Sequence, residues 1–317
     1  MTKEIAYLPP PDESHGELTL MESLSAAGLC VLFGANAVAI KVTLSGLGAF
    51  TSAGLRFALA AVTIAAWAVA SGRKIRMQLK RMPPLLLLAV LFWAQLSLFY
   101  NGLARTHAAR GVLLVNLLPF FILLFSGLFK QGEKLALNKW IGILLGFCGV
   151  VLLFAQKTVF SASLHRGDIM VLLATLLWSF STLYTKHIIR HYRPYEIVFY
   201  QMMFSAPLFL GAAFLFYRPM IEQLNHAVVG AFVYQTWVTA SFGFIAWNNL
   251  LKRQGAVALH TFVFIMPVAG VILSGLILKE SMQPNLLLAM VFIVAGIMIV
   301  QFGSRREVLK NKYGSND

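Results

Sequence analysis

Charge is what this sequence has least of. Only 12% of its 317 residues are Asp, Glu, Lys or Arg, where a soluble domain carries about a quarter. With 59% hydrophobic residues and a mean hydropathy of +0.75, that shortage excludes a water-soluble fold. Cysteine is nearly absent as well. Cys30 and Cys148 stand apart inside apolar runs, so neither a disulfide framework nor a zinc site is expected. No Walker-type phosphate loop, HExxH pair or GxSxG elbow occurs, which leaves direct ATP drive and a membrane-embedded lipid enzyme without the residues they need, and no cofactor is expected. Carboxylates are missing from the centre of every apolar run: Glu133, Asp168, Glu196, Glu222 and Glu280 all fall in loops or at run edges. Proton-driven exporters of cationic drugs commonly use an embedded carboxylate that trades a proton for the cation, and this chain offers none.

What is present is a series of long apolar runs. A bilayer core of about 30 Å takes roughly 20 helical residues, and ten segments of that kind run near 24–44, 50–70, 84–103, 107–129, 137–155, 168–188, 196–216, 227–250, 257–277 and 285–303. The formal net charge of +14 would suggest nucleic acid if it formed one patch. Instead the cations sit in short connections, which reads as membrane topology, and no nucleic-acid partner is expected. With the N-terminus inside, the inner segments hold 18 Lys and Arg, the outer segments hold 6, and Lys41 and Arg56 lie within spans. Both termini are therefore expected on the cytoplasmic side of an inner membrane. Glu4, Asp12, Glu13, Glu17 and Glu22 precede the first run, unlike a basic signal-peptide region, so that span is expected to be retained.

The two halves match at an offset near 147 residues. Pro119 pairs with Pro267, Ser126-Gly127 with Ser274-Gly275, Glu133 with Glu280, Asn138 with Asn285, Gly149 with Gly296 and Lys41 with Lys186. Five spans per half is an odd number, so the second half enters the membrane from the opposite face and the repeat is inverted. Such a pair can rock about a central site and expose it to each side in turn.

Phe33-Gly34-Ala35-Asn36 through Ile40-Lys41-Val42, then Arg56-Phe57-Ala58-Leu59-Ala60, resemble the opening of an EamA-type repeat, and Pro119, Glu133 and the Gly142/Gly146/Gly149 run resemble its closing helices. The resemblance spans about Leu24 to Gln301 and points to the drug/metabolite transporter superfamily. It implies an all-α integral membrane fold of ten transmembrane helices in two inverted five-helix repeats, residues 24–155 and 168–303, between cytoplasmic tails 1–23 and 304–317. It also implies export or exchange of small metabolites. Ser181 stands where Asn36 would be and Gln201 where Arg56 would be, so the halves are not chemically equivalent.

The candidate substrate-binding residues are polar groups inside spans. Lys41 shares a face with Ala37, Gly34 and Cys30, all small; it points inward to a cavity, or it snorkels to the outer surface or pairs with a nearby backbone carbonyl. Arg56 shares a face with Ser52 and Thr63. Asn36, Gln95 and Asn116 lie mid-span, where an amide needs a partner or water. Trp178 is an aromatic of span six, and Ser179 and Thr182 form a stripe with Thr175 and Lys186. Gln235 and Thr239 line one polar face of span eight with Asn249, while Trp237, Ser241 and Asn248 line another. Trp93 and Tyr100 share a face of span three with Ser97. Pro119 and Pro267 are candidate kinks for gating. Inward cations suit a carboxylate, an amino acid or another anion, and Lys41→Met is expected to remove flux without blocking insertion. A proton-coupled drug efflux protein is the alternative. Gly142/Gly146 is a close-packing pair that fits either a monomer or a homodimer.

Overall fold

The computed structural model describes residues 19–73, 75, 82–126, 137–154, 162–189, 192–216, 220–243, 246–247, 250 and 262–313. Among these the secondary structure is helical throughout, apart from one isolated bridge between Leu47 and Ile221. The elements are α1 (Leu20–Thr43), α2 (Ala49–Ala70), α3 (Met82–Arg105), α4 (Ala108–Val115), α5 (Leu118–Ser126), α6 (Leu137–Phe154), α7 (Ala162–Ile188), α8 (Pro194–Phe216), α9 (His226–Val233), a π-helical segment (Tyr234–Gly243), α10 (Ile265–Leu278) and α11 (Pro284–Tyr313). Six stretches among the described residues are long and apolar enough to cross a membrane, α4 and α5 counting as one, and shorter apolar helices accompany them.

Local chemistry sets the helix edges. α1 begins at Leu20, four residues before the apolar run suggests, because Thr19 and Glu22 form a capping box: the Thr19 hydroxyl accepts from the Glu22 N–H and the Glu22 carboxylate accepts from the Thr19 N–H. Span four breaks at Asn116-Leu117, where the backbone turns before α5. Pro119 falls in the first turn of α5 and Pro267 in the first turn of α10, positions where a missing N–H removes no intrahelical bond. Residues 257–261 of expected span nine lie outside the described residues.

Large apolar side chains point outward all round the bundle, among them Val62, Leu144, Val151, Phe214 and Leu276, as lipid contact requires. The interior is a continuous cluster that includes Phe57, Tyr100, Leu113, Phe120, Phe209 and Ile293. Within it, α2 packs on α8, α6 on α11 and α4 on α10; α1 packs on α10 and on α9 with the π segment; α3 packs on α7 and α8; α7 packs on α4 and α5; and the π segment packs on α2.

Glycine makes the closest of these approaches. Lipid removes the hydrophobic incentive for helices to associate, so contact depends on backbones coming near enough for dispersion. A Cβ on Gly142 would meet the Gly296 carbonyl at 2.7 Å and Val300 Cγ2 at 2.5 Å, and one on Gly34 would meet the Met266 carbonyl at 2.5 Å. Gly146 faces Phe120, so the Gly142/Gly146 pair packs within the chain. Overpacking of this sort costs about 1–3 kcal/mol. Gly142→Ala will therefore lower the thermal unfolding midpoint in detergent, while Gly28→Ala, whose added Cβ meets nothing within 4 Å, will leave it unchanged or raise it.

Candidate functional site

The small residues that open α2, among them Ala49, Ser52 and Ala53, let its first turns press into the bundle and carry Arg56 inward, where it is 8% exposed. Its Nη1 donates to the Tyr100 hydroxyl at 2.9 Å and to Gln235 Oε1 at 3.4 Å, and its Nη2 donates to Thr239 Oγ1 at 3.4 Å. The Tyr100 hydroxyl in turn donates to Gln235 Oε1 at 3.0 Å. Gln235 Nε2 donates to Thr43 Oγ1 at 2.9 Å and Ser52 Oγ at 3.4 Å, and Thr239 Oγ1 donates to Asn36 Oδ1 at 2.9 Å. Four elements meet there: α1, α2, α3 and the π segment.

Every one of those Arg56 partners is a neutral oxygen. Among the described residues the Arg56 Nε has no hydrogen-bond partner, and its Cζ lies 5.3 Å from the Phe57 ring centroid. The α3 face that presents Tyr100 repeats at helical spacing through Ser97 and Trp93. The Trp93 Nε1 and Ser97 Oγ are buried without partners, as is Gln95 Oε1 elsewhere on α3. A guanidinium whose partners among the described residues are all neutral, with its Nε unmatched, is receptive to an acceptor-only group such as a carboxylate. The π winding of Tyr234–Gly243 is itself a departure that is frequent at functional sites, and it contains both Gln235 and Thr239.

Of the residues singled out in the sequence, Asn36, Arg56, Gln235 and Thr239 come together here. Lys41 does not join them: its Nζ donates to the carbonyls of Leu103 (2.7 Å), Ala104 (3.2 Å) and Thr106 (2.6 Å) at the end of α3. Asn116 Nδ2 bonds the Val112 carbonyl of its own helix at 2.8 Å. Ser179 and Thr182, on either side of Trp178 in helix α7, give their hydroxyls to the Leu176 and Trp178 carbonyls, the back-bonding that short hydroxyl side chains make in helices. Trp237 Nε1 reaches Thr63 Oγ1 at 3.2 Å and Ser241 Oγ the Thr236 carbonyl at 3.0 Å. Glu133, Asn248, Asn249 and the Lys186 side chain lie outside the described residues. Thr43, Ser52 and Tyr100 complete the cluster although only the helical spacing of Ser52 to Arg56, and of Tyr100 to Trp93, hinted at them.

A second polar network closes one end of the bundle. Glu280, between α10 and α11, accepts from the Ala108 and Ala109 N–H groups at 2.7 and 3.0 Å, from Ser274 Oγ, and sits 3.6 Å from His107. It thus caps α4 from a distant segment, in place of an N-cap side chain that His107 does not supply. Burial alone would push its carboxyl up, but hydrogen bonds from His107, Ser274 and the Ala109 and Ala108 N–H groups outweigh burial and hold it below the ordinary value. Beside it, Arg110 pairs with the fully buried Asp168: Nε donates to Oδ2 at 2.9 Å, Nη2 also donates to the Leu153 carbonyl at 2.7 Å, and Thr106 Oγ1 donates to Oδ1. The sequence showed Asp168 only as an acid at a span edge, and Glu280 as one that also matches Glu133 across the repeat.

Residues 20–155 and 165–302 each match the model of the EamA-like transporter family. The chain is 26% identical over 287 residues to the "Probable amino-acid metabolite efflux pump" of Escherichia coli strain K12, covering 87% of this chain and 93% of that one. It is 22% identical over 288 residues to "Uncharacterized transporter YoaV" of Bacillus subtilis, covering 90% and 98%. A solved structure described only as "Crystal structure of protein" superposes with a TM-score of 0.67 at 21% identity, over 90% of this chain and 98% of that one; at that identity the likeness concerns the fold.

The closed end has measurable consequences. Asp168→Ala strands a buried guanidinium, and breaking such a pair costs about 3–5 kcal/mol. The variant will show a depressed unfolding midpoint, which the double variant Arg110→Met with Asp168→Leu will largely restore. Glu280, with its folded pKa held low, contributes stability that is complete above the unfolded value of about 4.3 and is lost as pH falls through the folded value. The unfolding midpoint will drop on acidification through that window, and Glu280→Gln will show a smaller drop.

Proposed function

The chain belongs to the EamA-like transporter family, and on that footing we propose that it is a secondary transporter, driven without ATP, that carries amino acids or related amphipathic anionic metabolites across the inner membrane. It works by alternating access between two inverted five-helix repeats, residues 24–155 and 168–303. The observation that carries the substrate class is the buried Arg56, whose described partners are all neutral and whose Nε is unmatched among the described residues. A substrate carboxylate takes the guanidinium, with Asn36, Gln235 and Thr239 orienting it and the surrounding Phe57 and Tyr100 rings meeting its apolar body. Lys41 has the place of a cation that fixes the end of α3 beside the site.

Packing supports the repeat. When each helix is exchanged for the one at the same place in the other half, the contacts recur: α1 with α10 becomes α7 with α4 and α5, α3 with α7 becomes α9 and the π segment with α1, and α3 with α8 becomes the π segment with α2. The pairs α2 with α8, α4 with α10 and α6 with α11 map onto themselves. A pseudo-twofold axis in the membrane plane has this property. The printed names of relatives from Escherichia coli and Salmonella typhimurium, probable amino-acid metabolite efflux pumps, agree in substrate class.

Uptake of labelled amino acids and small organic anions by purified protein in liposomes tests the reading, with and without an imposed pH gradient. A charge-assisted hydrogen bond contributes about 1.5–3 kcal/mol, so Arg56→Gln will reduce flux at least about tenfold while keeping the wild-type unfolding midpoint within a few degrees. Undiminished flux in that variant would remove Arg56 from the site, and transport that requires the pH gradient would favour proton-coupled efflux instead.

A further inference from the structure

We propose that this protein is an exchanger of organic monoanions, in which the bound carboxylate is the counter-ion that permits the protein to reorient. The proposal rests on the reading of the Arg56 site given above and adds its mode of operation.

The argument starts from what can balance Arg56. An arginine cannot shed its proton, and among the described residues its partners Tyr100, Gln235 and Thr239, and the Asn36, Thr43 and Ser52 side chains that bond those partners, supply only neutral dipoles. Two of the three contacts to the guanidinium are long, at 3.4 Å, and its Nε is unmatched. Among the described residues the buried carboxylates Asp168 and Glu280 are already engaged elsewhere: Asp168 is held by Arg110 and Thr106, and Glu280 by the α4 N-terminus and Ser274. Neither is able to leave without exposing another buried charge or helix end. None of the groups touching Arg56 takes up or releases a proton near neutrality, so a proton cannot substitute for a counter-ion either.

Alternating access passes through a state sealed from both sides, in which water has left the site. A lone guanidinium is then an uncompensated buried ion, the arrangement that desolvation penalises most heavily, whereas a guanidinium with one carboxylate is a paired, hydrogen-bonded neutral unit. The loaded protein therefore crosses the sealed state faster than the protein without substrate. A transporter of that kind moves one anion in for one anion out and supports little net flux. A zwitterionic amino acid satisfies the guanidinium but brings its own ammonium into the sealed site, so the oxo acid of a given skeleton is a better exchange substrate than the matching amino acid.

The experiment uses the full chain in liposomes at neutral pH, with the membrane potential clamped and no pH gradient. The probes are radiolabelled lactate, pyruvate and the oxo acids of leucine, valine and phenylalanine, each beside its matching amino acid. Initial uptake into vesicles preloaded with the same unlabelled compound is compared with uptake into vesicles holding buffer. Exchange at least about tenfold faster than net uptake is expected, with each oxo acid ahead of its amino acid. Equal rates in the two kinds of vesicle would overturn the exchange mode while leaving the transport reading intact. Fast net uptake once a pH gradient is imposed would also overturn it, because a proton would then be compensating the cycle. Amino acids exchanging faster than their oxo acids would overturn the monoanion assignment. No uptake of any probe by folded protein would overturn the carboxylate reading of Arg56 itself, and the exchange proposal with it.

Discussion

In a medium without water, every polar group a chain carries must find its partner inside the protein, and the architecture described above is a set of answers to that demand. Helices satisfy their own interiors but leave donors at one end and acceptors at the other. Here those ends are served across the bundle: Lys41 of α1 takes the final carbonyls of α3, and Glu280, between α10 and α11, takes the first N–H groups of α4. The α3–α4 corner is thus held between a cation from one half and an anion from the other. Arg110 and Asp168 neutralise each other in the same layer and tie α4 to α7 and to the end of α6.

Against that background Arg56 is the exception that carries meaning. Its neighbours are arranged well enough to hold it in place and too weakly charged to balance it. Arg110 is matched with Asp168 by burying both, whereas among the described residues the second buried arginine meets only dipoles, in a cluster assembled from both halves. A functional reading of one and a structural reading of the other follow from the same accounting of charge.

The helix contacts explain how such a bundle holds together where lipid gives no hydrophobic incentive to associate. Glycine at Gly34, Gly142 and Gly296 brings backbones close without interlocking side chains, and smooth surfaces of this kind can slide or tilt with little repacking. The π segment lies on α1 and α2 beside the polar cluster.

Much of this was legible beforehand, because hydropathy acts locally: a run of apolar residues must become a helix in a bilayer whatever surrounds it, and the edges found at α2, α6 and α8 lie within about two residues of the runs. That Asn36, Arg56, Gln235 and Thr239 are polar groups within spans was also visible, and a polar side chain there is costly and needs a partner. Their convergence was not, because Arg56 and Gln235 are joined by packing across 179 residues and by a π winding that no periodicity announces. Lys41 shows the same division: its sequence marked it as a buried cation, and only the arrival of the α3 carbonyls beside it decided what it binds. The sequence by itself determined that this is a multi-pass membrane protein with polar groups inside its spans, through the energetics of single residues in lipid; the tertiary structure alone decided that Arg110 meets Asp168 while Arg56, among the described residues, meets neutral oxygens, because pairing is a property of neighbours in space.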